Sequence, residues 1–191
     1  MTTPTHPTAL VHRIVPSPLG PITLVAAAGA VTGLYLHHQN HHPSPDDAPG
    51  AAAESADRAV LDRAVLDRAV LDRAERQLIA YFSGELTTFD LPLAPRGTPF
   101  QVQVWRLLQG IEFGRTTTYG AIAAALGRPD ASRAVGAAVG RNPIGVIVPC
   151  HRVIGASGAL TGYAGGIERK VWLLDHEGAF VGSAAQGTLP I

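Results

Sequence analysis

With 191 residues, 46% of them hydrophobic, and a formal net charge of zero, the chain is long enough for one good core or two small ones. A neutral balance counts against a protein held to nucleic acid mainly by bulk charge, because phosphate binding usually leaves a basic footprint. No apolar run reaches the roughly 18 residues of a membrane span, Met1 to Pro7 is polar, and a single cysteine excludes an internal disulfide and a thiolate zinc site, so the expectation is a soluble, cytoplasmic protein.

Residues 9 to 36 alternate apolar and polar positions and are broken by Ser17-Pro18-Leu19-Gly20 and by Gly29, which predicts two or three short antiparallel strands joined by tight turns. His37 to Gly50, rich in His, Pro, Asp and Asn, reads as an exposed loop. His37, His38, His41 and His42 complete no recognisable ligand set, so no metal is expected there. Asp57 to Ala74 repeats Asp-Arg-Ala-Val-Leu three times and begins a fourth copy. That composition suits a helix, yet a five-residue step advances about 140° at 3.6 residues per turn, so Leu61, Leu66 and Leu71 cannot share one face. The repeat therefore reads as a tandem expansion that lengthens an existing helix. Leu78, Ile79 and Phe82 are its expected packing face, and Ser83-Gly84-Glu85 its end. Leu91 to Gly97, with two prolines and a glycine, reads as a link, giving an N-terminal unit over residues 1–92 and a second over 98–191.

Thr98-Pro99 is a helix start, a capping hydroxyl followed by proline at the first helical position, and Val104, Leu107 and Leu108 then keep helical spacing. Thr118 to Gly127 predicts a short capped helix, Arg128-Pro129-Asp130 a turn, and Ala131 to Val139 a second helix, together a candidate helix-turn-helix. The second helix is nearly all small residues, which allow close approach to a groove or equally to another helix, and Arg133 is expected to project from its middle. From residue 98 onward eight basic side chains face five acidic ones, so this half is net basic.

The apolar run Asn142-Pro143-Ile144-Gly145-Val146-Ile147-Val148 leads into Pro149-Cys150-His151-Arg152-Val153. By itself a lone cysteine is more often a small buried hydrophobe than a reagent. A thiol next to an imidazole and a guanidinium is nevertheless a candidate nucleophile, since thiolate forms near neutrality only with a base or positive surroundings. A cysteine hydrolase would further need an oxyanion hole, of which the sequence gives no separate sign.

Pro149-Cys150-His151-Arg152-Val153 resembles the signature of the O6-alkylguanine-DNA alkyltransferase family. The likeness is close over residues 98 to 178 and looser before them. It extends to Tyr119, Ser132-Arg133-Ala134-Val135-Gly136, Gly140-Arg141-Asn142-Pro143, Gly162-Tyr163-Ala164-Gly165-Gly166, Lys170-Val171-Trp172-Leu173-Leu174 and His176-Glu177-Gly178. The resemblance implies an α+β fold: a small N-terminal antiparallel sheet with a helix, ribonuclease-H-like, and a mainly helical C-terminal domain with a helix-turn-helix. It implies direct-reversal repair, in which an alkyl group passes irreversibly from O6 of guanine, or O4 of thymine, to Cys150.

On the same resemblance His151 is the base acting through a water, Glu177 the carboxylate that orients it, Asn142 the hinge before the active-site loop, and Arg152 a holder of that loop. Arg133 is the finger that fills the stack when the nucleotide is rotated out, and Tyr119 crowds the phosphate and can protonate the departing guanine. Thr118, Ser132, Ala134 and Gly136 line the DNA face, which enters the narrow minor groove. Val139, Val153, Tyr163 and Ala164 form the pocket, with the carbonyls of Cys150 and Val153 accepting the exocyclic amine. The implied partner is double-stranded DNA containing O6-alkylguanine, bound by a monomer without cofactor. The competing reading is a non-catalytic alkyltransferase-like protein that binds damaged DNA; such proteins lack the signature cysteine.

Overall fold

The computed structural model describes residues 11–40 and 58–179. Three strands, β1 (Val11–Val15), β2 (Ile22–Ala27) and β3 (Ala30–Leu36), form an antiparallel meander in that order. Between β2 and β3 the chain reverses through Ala28 at φ 53° and Gly29 at φ 76°, the paired left-handed conformation that suits the twist of a two-residue hairpin. Alternation buries Ile22, Leu24 and Ala26 on one strand and Leu34 and Leu36 on the next.

Over this sheet lies α1 (Arg58–Phe82), 25 residues that absorb the described part of the pentapeptide repeat. Its buried stripe is Leu71, Ala74, Leu78 and Tyr81, a helical spacing of three and four. Leu66 is 58% exposed while Leu71 is buried, as a five-residue period requires. Ile79, expected on the packing face, is 57% exposed: it stands about 100° round from Leu78, and Tyr81 takes the place it was assigned. One aspartate of the repeat turns inward. The buried Asp67 accepts the Gly29 amide at 2.6 Å, so the repeat pins the β2–β3 hairpin. Asp72 and Glu75 both grip Arg13 on β1 at 2.6 Å.

The link between the two expected units is itself docked. Val31 donates to the Pro92 carbonyl at 2.8 Å and accepts from Ala94 at 2.9 Å. Further along the same edge of β3, Leu34 donates to Pro143 at 2.8 Å and accepts from Gly145 at 3.2 Å. Two loops thereby cover a strand edge that would otherwise expose its backbone polar groups. A single cluster of buried side chains runs through both units.

In the second unit α2 (Pro99–Gln109) begins with a capping box between Thr98 and Gln101. Trp105 on α2 donates from Nε1 to the Ala138 carbonyl at 2.8 Å, fixing it to the helix pair. That pair is α3 (Tyr119–Ala125) and α4 (Ser132–Gly140), joined through a 3₁₀ turn at Pro129–Ala131. Because Ala131 belongs to that turn, Arg133 sits in the first turn of α4 rather than in its middle. Two short parallel strands, β4 (Thr117–Thr118) and β5 (Val153–Ile154), set the start of α3 beside the segment that follows Cys150. The chain described here closes with α5 (Ile167–His176), and the fold is α+β.

Candidate active site

Cys150 is delivered by two consecutive tight turns. Ile147 donates to the Gly145 carbonyl at 2.7 Å across Val146, whose φ of 66° is rare for a β-branched residue and marks the strained form of the γ-turn. Cys150 donates to the Val148 carbonyl at 2.8 Å across Pro149 at φ −81°, ψ 65°, the relaxed form. Such strain persists only where the surroundings over-determine it. Here the buried Asn142 does so, donating from Nδ2 to Val148 at 2.8 Å and accepting the Ile144 amide at 3.1 Å, while the β3 edge holds the same loop from outside.

The thiol is buried, and burial pushes its pKa up, against the opposing pull of a hydrogen bond from Asn142 and the charge of Lys170. Burial lowers the pKa of His151, partly offset by Glu177. At rest the pair is thus a thiol beside a neutral imidazole, and the nucleophile is made on demand. His151 meets Glu177 through Nε2 at 2.9 Å. Because an ionised carboxylate only accepts, Nε2 carries the proton and Nδ1 keeps its lone pair. Nδ1 is buried and has no protein partner among the described residues, which makes it the basic atom.

Glu177 is the hub. Burial alone would push its carboxyl up, but the bonds from His151 and Arg152 outweigh that and hold it well below the usual carboxylate range. Arg152 binds it bidentately, Nε to Oε2 at 2.8 Å and Nη2 to Oε1 at 2.9 Å, and spends Nη1 on the Ile111 carbonyl. The guanidinium of Arg152 is therefore a buried partner of the hub. Gly114, at φ 72°, lies against the Glu177 backbone so closely that an added Cβ would come within 2.8 Å of its carbonyl oxygen.

Two members of this network escaped the sequence. Tyr81 donates its hydroxyl to Glu177 Oε1 at 2.6 Å from 96 residues away, and nothing local distinguishes it from an ordinary helix aromatic. Lys170 stands inside a motif stretch but counts in the sequence merely as surface charge. It is fully buried, its pKa is lowered by burial to about 8, and it donates to the carbonyls of Val153 at 2.6 Å and Thr161 at 2.9 Å. The Val153 carbonyl expected to receive an exocyclic amine thus already takes Lys170, with one lone pair to spare.

Among the other expected pocket residues Val139 and Val153 are buried, and Tyr163 and Ala164 half-buried. The loop bearing the last two is fastened to the first unit, where the Ala164 carbonyl accepts from Asn40 at 2.9 Å. Gly165 leaves it room, since a Cβ there would lie 2.6 Å from Leu36. Tyr119 faces the same loop, its hydroxyl 3.4 Å from the Thr161 carbonyl. Thr118 caps α3 by accepting the Ala121 amide at 3.1 Å, and Ser132 opens α4. Arg133, Ala134 and Ala137 are exposed, and a Cβ on Gly136 would rest against the Tyr119 ring at 3.7 Å. Among the described residues no three His, Cys, Asp or Glu side chains gather as a metal site, and no helix is long and apolar enough to cross a membrane. His37 and His38 are exposed; His41 and His42 lie outside the described residues.

Two family models match the chain in tandem: the ribonuclease-like domain of 6-O-methylguanine DNA methyltransferase over residues 10–95, and its DNA binding domain over 99–179. The methylated-DNA–protein-cysteine methyltransferase of Mycobacterium tuberculosis is 47% identical over 171 residues, covering 87% of this chain and 91% of that protein. The protein of the same name from Methanosarcina acetivorans is 46% identical over 168 residues, covering 88% and 98%. Among solved structures, M. tuberculosis O6-methylguanine methyltransferase matches with a TM-score of 0.72 at 44% identity over 92% of this chain and 96% of that one. The M. tuberculosis OGT in complex with DNA matches with a TM-score of 0.70 at 45% identity over 88% and 92%. The chain belongs to the 6-O-methylguanine DNA methyltransferase family.

Proposed function

We propose that this chain repairs DNA by direct reversal, Cys150 taking an alkyl group from O6 of guanine, or O4 of thymine, once per molecule. The observation that carries the reading is the buried chain Cys150, His151, Glu177, in which the one imidazole nitrogen free to act as a base belongs to the residue next to the thiol. The Sγ proton passes to His151 Nδ1 through a water as sulfur attacks the alkyl carbon. The carbon–sulfur bond forms, the carbon–O6 bond breaks with its electron pair going to the purine, and the departing guanine takes a proton from Tyr119, which solvent restores. A thioether is not readily hydrolysed, so the protein is consumed.

The O6 atom is reached only after the nucleotide leaves the stack, at a few kcal/mol of unstacking and unpairing. The exposed face of α4 supports that step: Ala134 and Ala137 are short enough for a minor groove about 6 Å wide, and Arg133 beside them is long enough to enter the stack. The M. tuberculosis relative solved in complex with DNA supports DNA as the partner, which on this reading is a duplex carrying O6-alkylguanine. Val139, Val153, Tyr163 and Ala164 would then enclose the base. The chain is read as a cytoplasmic monomer needing no cofactor. A non-catalytic alkyltransferase-like role is disfavoured by Cys150 itself.

The test is to mix the protein with an oligonucleotide containing O6-methylguanine and record the intact mass and the modified peptide. One added methyl on Cys150, absent in Cys150→Ser, is expected. An unchanged mass together with tight DNA binding would replace this reading with the non-catalytic one.

A further inference from the structure

We infer that Tyr81, in the last turn of α1, is a positioning residue for alkyl transfer: its phenol shares one carboxylate oxygen with His151 and so ties the basicity of that imidazole to the seating of the N-terminal unit. The inference rests on the transfer chemistry proposed above.

Three donors converge on Glu177 Oε1: Tyr81 Oη at 2.6 Å, His151 Nε2 at 2.9 Å and Arg152 Nη2 at 2.9 Å. A carboxylate oxygen offers about two lone-pair sites, so these donors compete. Arg152 is held independently through Oε2 and Ile111, which leaves Tyr81 and His151 as the pair whose shares can trade. The phenol gives up its proton to neither partner, because burial first and the Glu177 charge second push its pKa far above the ordinary tyrosine value. It is a constant neutral donor that draws on the charge His151 would otherwise feel.

Tyr81 is also fixed from outside the hub. Its carbonyl accepts from His176 Nε2 at 2.8 Å, and its ring meets Phe113 and His176 edge-on. His176 precedes Glu177, so one residue of α1 grips both the main route into the carboxylate and the carboxylate itself. The charged and titratable groups facing His151 are Glu177, Arg152 and Lys170, with Cys150 its neighbour in the chain; those facing Tyr81 are Glu177, Arg152, Tyr163 and His176. None of them replaces a hydrogen bond withdrawn from Oε1.

Tyr81→Phe keeps the ring and removes the competing donor. His151 then becomes the stronger base: the internal transfer from Cys150 Sγ to Nδ1 is more favourable at every pH, and an imidazolium formed from solvent persists to higher pH. The experiment follows the rate at which full-length protein is alkylated by free O6-benzylguanine from pH 5 to 9, with intact mass as the readout and thermal midpoints measured alongside. Tyr81→Phe is expected to move the rising limb, which reports loss of the solvent-derived proton from His151, up by half a pH unit or more, about threefold in the proton affinity of the imidazole, and to raise the plateau above it. Replacing Tyr81 with 3,5-difluorotyrosine, a stronger donor, moves the limb down and lowers the plateau. Phe89→Leu, which loosens the ring packing 5.2 Å from Tyr81 and leaves the phenol in place, lowers the thermal midpoint without moving the limb. A limb unmoved by both Tyr81 variants, moved the same way by both, or moved equally by Phe89→Leu overturns the inference. A wild-type protein that gains an alkyl group neither from O6-benzylguanine nor from an oligonucleotide containing O6-methylguanine overturns the transfer chemistry instead.

Discussion

The carboxylate hub at Glu177 and the exposed face of α4, which the proposed function joins in one reaction, are fixed in opposite ways. Glu177 is buried and receives donors from α1, from the turn after Cys150 and from the loop at Gly114, so each of its atoms is held by several elements at once. Arg133 is exposed, and among the described residues its guanidinium is paired with none. A group that must move a proton between set atoms needs preorganisation; a group that must enter a DNA stack needs freedom and a short-chained surround. Losses at the hub should therefore register in both stability and chemistry, and losses at α4 only where DNA is the substrate.

Glu177→Gln is the largest break. It leaves the buried guanidinium of Arg152 without its counter-charge, and removing one member of a buried pair costs about 3–5 kcal/mol. Urea unfolding should show that loss, and the transfer rate should fall by about a hundredfold or more as general-base assistance is lost. The same hub sets the acid response. His151 has a depressed proton affinity when folded, so the unfolded chain protonates first and stability declines as pH falls through about 6.5. Glu177 is also depressed: its contribution is full above about 4.3 and lost below it. Unfolding free energy followed from pH 8 to pH 3 should drop in two stages, with the lower stage missing in Glu177→Gln; a single stage unaffected by the substitution would contradict the assignment.

The second contrast lies within α1, between Leu71 and Leu66, identical residues one repeat apart. Leu71→Ala should cost about 2–5 kcal/mol because it opens a cavity against the sheet. Leu66→Ala at an exposed site should stay within about 0.5 kcal/mol. Equal losses in paired thermal melts would show that both leucines pack. This pair also marks what the sequence can reveal. A fixed period of five tells that the leucines part company, which is geometry, but not which one faces the sheet; Asp67 bonding Gly29 and Ile79 turned outward depend on where the helix is docked. The strands, the capped helices and Cys150 with His151 and Glu177 are legible because their cues are local or belong to one motif. Tyr81 is not, because its partner lies on the far end of the chain, and Lys170 is not, because a formal charge in a sequence carries no sign of burial.

Arg133→Ala tests the other half of the comparison and has the smallest expected effect on the protein itself. Its side chain is exposed in the first turn of α4, so thermal stability should move by less than about 0.5 kcal/mol. Rotating a nucleotide out of a duplex takes a few kcal/mol, and a side chain that fills the vacated stack recovers part of it. If the guanidinium recovers even about 1.4 kcal/mol, transfer from duplex O6-methylguanine should slow about tenfold. Alkylation by free O6-benzylguanine, which needs no rotation, should stay within about twofold of wild type. The ratio of the two rates is the quantity to measure. A ratio unchanged by the substitution would mean that α4 binds DNA without opening it, and that access to Cys150 is governed by another surface of the protein.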